Sequence, residues 1–209
     1  GGRGAERRDA VWTEVRAELE RLAARWEERL ALRLADAGVD VVAGAARFTS
    51  PHELVLDAGP RVRFERAVIA CGAEPIPIEG DRPDGNALVS PDQLFQRSAL
   101  PSEVMVIGGG AAGAELVDAL SRMDDVEVTW LMGELGILPD FERELAEALG
   151  DVLMGRGVKL VHGKAVTSVA IDRAGGALAK LDGGRTYAAP LGVLAIGRRP
   201  APIDLAPAG

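Results

Sequence analysis

The chain has 209 residues, of which 47% are hydrophobic and 27% charged, a composition typical of a globular protein with one large or two small domains. Its net charge of −8 disfavours nucleic acid and anionic membranes as partners. No stretch reaches the roughly 18 apolar residues of a membrane span, and no secretion signal begins the chain. The single cysteine, Cys71, excludes an internal disulfide and favours a cytoplasmic location.

A long amphipathic helix is predicted over residues 5–37, with Gly38 as the residue that ends it. The helix carries one apolar stripe at helical spacing, formed by Val11, Val15, Leu19, Leu22, Trp26 and Leu30. We expect this stripe to pack against a sheet or a partner. Three short strands are predicted next, over residues 40–43, 53–57 and 62–70, and their close spacing indicates an antiparallel meander.

From residue 90 onward the pattern is that of alternating helices and strands. Ser90 is predicted to cap a short helix over residues 91–96. Three parallel strands with intervening helices follow, with strands over 104–107, 126–131 and 158–162 and helices over 111–123 and 141–154. A second meander over 165–188 and an apolar strand over 191–196 complete the predicted elements.

A glycine turn joins the strand at 104–107 to the helix that follows it. Gly108, Gly110 and Gly113 stand in the G-x-G-x-x-G pattern that lets a backbone approach a pyrophosphate. The first glycine makes the turn, the second clears the phosphate path, and the third lets helix and strand pack. Such turns also join strands to helices where no ligand binds, so the flanking sequence determines whether this one indicates a nucleotide site.

Three motifs, in this order, resemble the flavoprotein pyridine nucleotide–disulfide oxidoreductases. Residues 69–75 (I-A-C-G-A-E-P) are similar to the family's I-A-T-G-S-x-P, which closes the FAD-domain meander. Residues 106–115 (V-I-G-G-G-A-A-G-A-E) are similar to its NAD-domain fingerprint. Residues 195–200 (A-I-G-R-R-P) are similar to the A-x-G-R-x-P at which the chain leaves the NAD domain.

The resemblance implies an α/β fold with a Rossmann-like NAD(P)-binding domain, containing a parallel sheet and a β-meander, and a partial FAD-binding domain. We expect a remnant of the FAD domain over residues 1–80, the doubly wound NAD(P)-binding domain over 81–199, and the start of the return into the FAD domain over 200–209. The family's FAD fingerprint, redox cysteine pair and dimerisation domain are not among these residues. We therefore expect a fragment of a longer, homodimeric protein, inactive alone.

The resemblance also implies the cofactor-binding residues. The glycines Gly108, Gly110 and Gly113 should face the pyrophosphate, Glu115 and Gly197 the nicotinamide end, and Cys71 and Gly72 the flavin. For Glu115, compensation of the helix dipole is the alternative role. The full expected set is Ile107, Gly108, Gly110, Ala111, Ala112, Gly113, Glu115, Met132, Gly197, Cys71 and Gly72. No residue is assigned a catalytic role, and no metal site is expected.

Two positions depart from the family pattern. Cys71 stands where the family has Thr, so a weak thiol donor replaces a hydroxyl. Met132 stands where an acid would bind the adenosine ribose, and no Arg or Lys follows before Arg143. Because the charge of Glu134 disfavours a 2′-phosphate, we expect NAD rather than NADP. A site with decayed dinucleotide affinity is the alternative.

The function implied is oxidoreduction of the dihydrolipoamide dehydrogenase type: the chain binds NAD(P)H and positions it for hydride transfer to FAD in the intact protein. The alternative is a non-catalytic module that uses the fold for protein association or redox sensing. Met132 and the acidic N-terminal helix favour that alternative slightly.

Overall fold

The computed structural model describes residues 2–57, 59–76, 78–80 and 82–206. Its elements, in chain order, are α1 (Gly2–Asp36), β1 (Ala46–Ser50), β2 (Glu53–Leu56), β3 (Arg61–Arg63), β4 (Ala73–Pro75), β5 (Leu88–Val89), α2 (Pro91–Leu94), β6 (Glu103–Ile107), α3 (Ala111–Leu120), β7 (Glu127–Gly133), α4 (Arg143–Gly155), β8 (Lys159–His162), β9 (Val166–Ile171), β10 (Ala177–Leu181), β11 (Thr186–Ala189), β12 (Leu191–Leu194) and β13 (Arg198–Pro200).

These elements form two compact units. The first contains Gly1–Leu19 and Pro75–Arg198, and the second contains Glu20–Glu74 and Arg199–Gly209. The helix α1 therefore contributes its first half to one unit and its second half to the other.

The first unit is built on a five-stranded parallel sheet of order β5-β12-β6-β7-β8. The three strands predicted around the glycine turn, β6, β7 and β8, lie side by side, which confirms the predicted α/β architecture. The sheet also contains β5, a two-residue strand that was not predicted, and β12 pairs in parallel with both β5 and β6. The chain thus returns to the sheet at β12, which lies beside β6, the strand that leads to the glycine turn.

Opposite faces of this sheet are covered by different elements. Alternate residues of β6 point to opposite sides, so Val104 and Val106 join a core cluster with α2, α3 and α4, while Met105 and Ile107 join a cluster with β9 and β10. The helices therefore cover one face, and the antiparallel meander β9-β10-β11 covers the other. This differs from a doubly wound sheet, which has helices on both faces.

Local sequence explains the start of α2 and the end of α1. Ser90 caps α2 through a capping box with Gln93: the Ser90 hydroxyl accepts from the Gln93 N–H at 3.2 Å, and the Gln93 side chain accepts from the Ser90 N–H at 2.9 Å. Gly38 follows α1 with φ of 68°, and its N–H donates to the Ala35 carbonyl. Both predicted caps are confirmed.

The packing of α1 differs from the prediction. Its predicted stripe is exposed, from 37% at Val11 to 67% at Trp26, whereas the unpredicted Trp12 is 2% exposed. The Trp12 indole N–H donates to the Arg97 carbonyl at 2.9 Å, and its ring stacks on Phe95. The helical period thus identified the helix correctly, but the stripe does not pack on a sheet of this chain, and its packing on a partner stays a prediction.

The second unit contains the sheet β1-β2-β3 and two residues each of β4 and β13, two strands that pair with each other. A meander was predicted and is present, but two of its strands were misplaced. Residues 40–43 are not a strand, because Val41 and Val42 are exposed and the strand that pairs with β2 begins at Ala46. The predicted strand over 62–70 ends at Arg63, and Val68 beyond it is 93% exposed. The residues of these two segments favour strands, but a strand forms only where another strand lies beside it to pair with.

Candidate functional site

A cleft of about 480 Å³ lies at the carboxyl edge of the parallel sheet in the first unit. Parallel strands end at a common edge, so the segments that follow β6, β7 and β12 meet there. The cleft is lined by Ile78, Ile107, Gly108, Gly109, Gly110, Ala111, Ala112, Leu131, Met132, Gly133, Glu134, Leu135, Gly136, Pro139, Ala165, Val166, Ala195, Ile196 and Gly197.

Gly108 begins the turn at the end of β6. Its φ is 123°, a backbone conformation that strongly favours glycine, and a Cβ placed there would meet the Ala195 carbonyl oxygen. The Gly108 N–H donates to the Leu131 carbonyl at 2.8 Å, which extends the β6–β7 pairing by one residue. The segment that follows β12 thus leaves no room for a side chain at this position.

Gly110 precedes α3 and faces open space. A Cβ at this residue would meet nothing within 4 Å, and its φ of −75° is accessible to any residue. As the N-cap of α3, Gly110 provides no side chain to the first-turn N–H groups. The amino end of a ten-residue helix therefore faces the cleft without a side-chain cap, an arrangement suited to an anion.

Gly113 has a different environment, because it is buried where α3 crosses the sheet. A Cβ there would meet the Gly108 carbonyl oxygen and would lie 3.3 Å from the Trp130 indole nitrogen. Gly113 consequently lets α3 approach the strands closely, and its role is one of packing.

The loop after β7 holds the middle of the turn. The Leu138 N–H donates to the Gly109 carbonyl at 2.7 Å. A Cβ at Gly109 would meet the Gly136 carbonyl oxygen and would lie 2.9 Å from that of Met132. The glycine turn and the 133–139 loop are therefore packed backbone against backbone.

The cleft gathers seven of the residues expected from the sequence. They are Ile107, Gly108, Gly110, Ala111, Ala112, Met132 and Gly197. Met132 is 5% exposed and lies within β7, which extends to Gly133, two residues beyond the predicted strand end.

The other four expected residues lie elsewhere. Gly113 is buried beneath the turn, and Glu115 is exposed on α3. Cys71 and Gly72 belong to the second unit, are exposed, and lie in a segment without regular structure. The Gly72 carbonyl there accepts from the Ala201 N–H at 3.1 Å.

Sequence reasoning missed much of the cleft wall. The loop residues Leu135, Gly136 and Pro139 and the meander residues Ala165 and Val166 were not expected. The Gly and Pro content after β7 was the available signal for the loop, whereas no local pattern indicated the meander.

The walls of the cleft are mainly apolar. Glu134 is the only charged side chain among the described residues that line it. Within the described part of the chain, no cluster of His, Cys, Asp or Glu could hold a metal ion. Over the same residues, the helices are too short or too polar to cross a bilayer.

Comparison with known proteins agrees with this architecture. Residues 4–209 match the family model described as pyridine nucleotide-disulphide oxidoreductase. The chain belongs to this oxidoreductase family, and the resemblance drawn from the three motifs is confirmed.

Individual relatives include an NAD(P)H dehydrogenase (quinone) of Mycobacterium tuberculosis, 29% identical over 197 residues, covering 90% of this chain and 40% of the relative. A dihydrolipoyl dehydrogenase of Thermus scotoductus is 34% identical over 60% of this chain and 27% of its own. The crystal structure of LpdA from M. tuberculosis superposes with a TM-score of 0.79 at 29% identity, over 90% of this chain and 43% of that one. The chain thus spans less than half the length of these relatives.

Proposed function

We propose that the cleft binds a nicotinamide dinucleotide, with its pyrophosphate at the amino end of α3. The observation that carries this proposal is the open space at Gly110, beside first-turn N–H groups that no side chain caps. A Cβ at this position would project into space that a phosphate could occupy. The dinucleotide fits a site of this kind because its charge is met by backbone N–H groups and the helix dipole.

The remaining cleft residues orient the dinucleotide and exclude water. Gly197, with φ of 111° and no side chain, allows the end of β12 to approach the ligand closely. Ile107, Ala195 and Ile196 form apolar walls on which a flat ring can rest. NAD(P)H, when bound, supplies a hydride, and these residues hold its reactive ring in place in a dry environment.

We propose NAD as the preferred dinucleotide. Glu134 is the only described charged side chain of the cleft, and its carboxylate repels a 2′-phosphate. Met132, buried at the expected acid position, provides no ribose-binding carboxylate. The preference therefore depends on repulsion of NADP by Glu134.

For the intact protein we propose hydride transfer from the dinucleotide to FAD, in a homodimer as in the family it resembles. The exposed residues Cys71 and Gly72 do not by themselves define a flavin site, so no step is assigned to them. Because the chain spans 40% of its quinone dehydrogenase relative, we infer that these 209 residues bind the dinucleotide without completing the transfer.

Titration of the purified chain with NADH and NADPH tests this function. We expect micromolar binding that Gly110→Val abolishes, because the side chain fills the open space without straining the backbone. Gly155→Val is the matched control, since Gly155 also has nothing within 4 Å but lies at the end of α4. No binding at millimolar dinucleotide, or equal binding by Gly110→Val and the unaltered chain, would refute the proposed site.

A further inference from the structure

Trp130 is a buried aromatic residue whose one polar group, the indole N–H, contacts the glycine turn. It lies in β7, its side chain is 0% exposed, and its indole N–H donates to the Gly108 carbonyl at 2.8 Å. A buried indole N–H needs a partner, and an aliphatic residue at the same place in a strand would offer none to the carbonyl. This side chain therefore bonds to the first glycine of the motif from inside the core.

The hydrogen bond fixes the orientation of one peptide group in the turn. Because a peptide group is planar and trans, its C=O and N–H point in opposite directions. A fixed Gly108 carbonyl therefore also fixes the N–H of Gly109, a residue that lines the cleft. Gly108 has a φ of 123°, and a glycine backbone is free to leave such a conformation. The hydrogen bond from Trp130 restricts this freedom.

Trp130 also fills the space around Gly113. The indole nitrogen lies 3.3 Å from the position of a Cβ at Gly113, and the Gly108 carbonyl lies closer still. The first and third glycines of the motif thus meet at the atom to which Trp130 donates. Loss of the indole leaves the partly buried Gly108 carbonyl without this donor.

We propose that Trp130 is a positioning residue for the dinucleotide: through the Gly108 carbonyl, it holds the glycine turn in the conformation that binds the pyrophosphate. This inference rests on the proposed function of the cleft. Trp130 does not line the cleft among the residues described, so it acts through the backbone and not by touching the ligand.

The chain contains a matched control for this residue. Trp12 is also buried, at 2% exposed, and its indole N–H donates to a backbone carbonyl, that of Arg97, at 2.9 Å. Trp12 lies in α1 and Arg97 follows α2, so neither residue belongs to the glycine turn. Trp12→Phe and Trp130→Phe remove equivalent bonds, and only the second bond reaches the motif.

The experiment compares both variants with the unaltered chain by titration with NADH and by urea unfolding. We expect Trp130→Phe to weaken NADH binding by about fivefold and Trp12→Phe to leave it unchanged, although both lower stability. Backbone amide hydrogen exchange at residues 109–113, measured without dinucleotide, should be faster in Trp130→Phe than in Trp12→Phe. Equal affinity of Trp130→Phe and the unaltered chain overturns the proposal for Trp130 alone, whereas no binding by the unaltered chain overturns the proposed function as well.

A variant that retains Trp130 covers the case in which Trp130→Phe does not fold. In the double variant W12F/W26F, Trp130 is the only tryptophan, because the chain has three. We expect its emission to shift when NAD⁺ is added, and this shift to be absent when Gly110→Val is added to the same background. Unchanged emission at saturating NAD⁺ would overturn the proposal.

Discussion

Arg156 donates a 2.6 Å hydrogen bond from Nη1 to Oδ1 of Asp118, joining the residue after α4 to the last turn of α3. Arg122, two residues beyond the end of α3, donates to both oxygens of the same carboxylate, at 3.0 and 3.1 Å. Asp118 therefore links the helix that begins at the cleft to the next helix in the chain.

We expect Asp118→Asn to lower stability at neutral pH and to do so less in acid. Hydrogen bonds from Arg122 and Arg156 hold the pKa of the Asp118 carboxyl below its ordinary value of 3.8. A depressed pKa contributes stability that is fully present above the unfolded value and is lost as the pH falls through the folded one. The deficit should be about 1 kcal/mol at pH 7, and urea unfolding from pH 7 downward measures it.

The control for this prediction is Glu147→Gln, which removes an exposed i,i+4 pair with Arg143 on α4 alone. It should change stability little at any pH. A deficit in Asp118→Asn that stays constant from pH 7 to below the pKa of the folded state would contradict the electrostatic explanation.

We expect Gly113→Ala to destabilise the protein by about 1–3 kcal/mol through overpacking. The added Cβ meets the Gly108 carbonyl oxygen, part of a backbone that the neighbouring strands hold in place. Gly155→Ala, in open space on α4, should instead be neutral or stabilising because alanine favours helix. Urea unfolding of both variants measures the two free energies of unfolding. A Gly113→Ala variant as stable as Gly155→Ala would show that α3 can shift freely.

We expect Glu134→Gln to raise the affinity for NADPH relative to NADH by about fivefold, because one charge repulsion of about 1 kcal/mol near a 2′-phosphate is removed. Fluorescence titration with both dinucleotides measures the ratio of the dissociation constants. Glu142→Gln, a change of the same charge at the N-cap of α4, is the control and should leave the ratio unaltered. An unchanged ratio in Glu134→Gln would show that Glu134 does not select the dinucleotide.

Features that depend on neighbours in the sequence were predictable. The capping box at Ser90, the glycine after α1 and the strand–turn–helix unit around Gly108 all form as expected. Each of these depends on backbone dihedral preferences and on hydrogen bonds within a few residues. The order of the three sequence motifs at residues 69–75, 106–115 and 195–200 was enough to identify the family.

Burial was less predictable, as α1 and the 62–70 segment show. Helical periodicity pointed to Val11 and Val15, but Trp12 is the residue with a distant partner, Arg97. In residues 62–70, β-branched residues suggested a strand over the whole segment, but the strand in the structure ends at Arg63. An apolar residue is buried only where another segment covers it, and local sequence does not specify that segment.

By itself, the sequence determined the family, the order of the elements from the glycine turn to β12 and the glycines that a phosphate-binding turn requires, because these follow from short-range backbone chemistry. Only the tertiary structure decided which residues complete the cleft and what holds the turn. The hydrogen bond from Trp130 to Gly108 joins residues 22 positions apart. The cleft wall at residues 195–197 comes from the segment after β12, far along the chain. Such contacts arise from the strand order of the sheet, which brings distant segments to one edge.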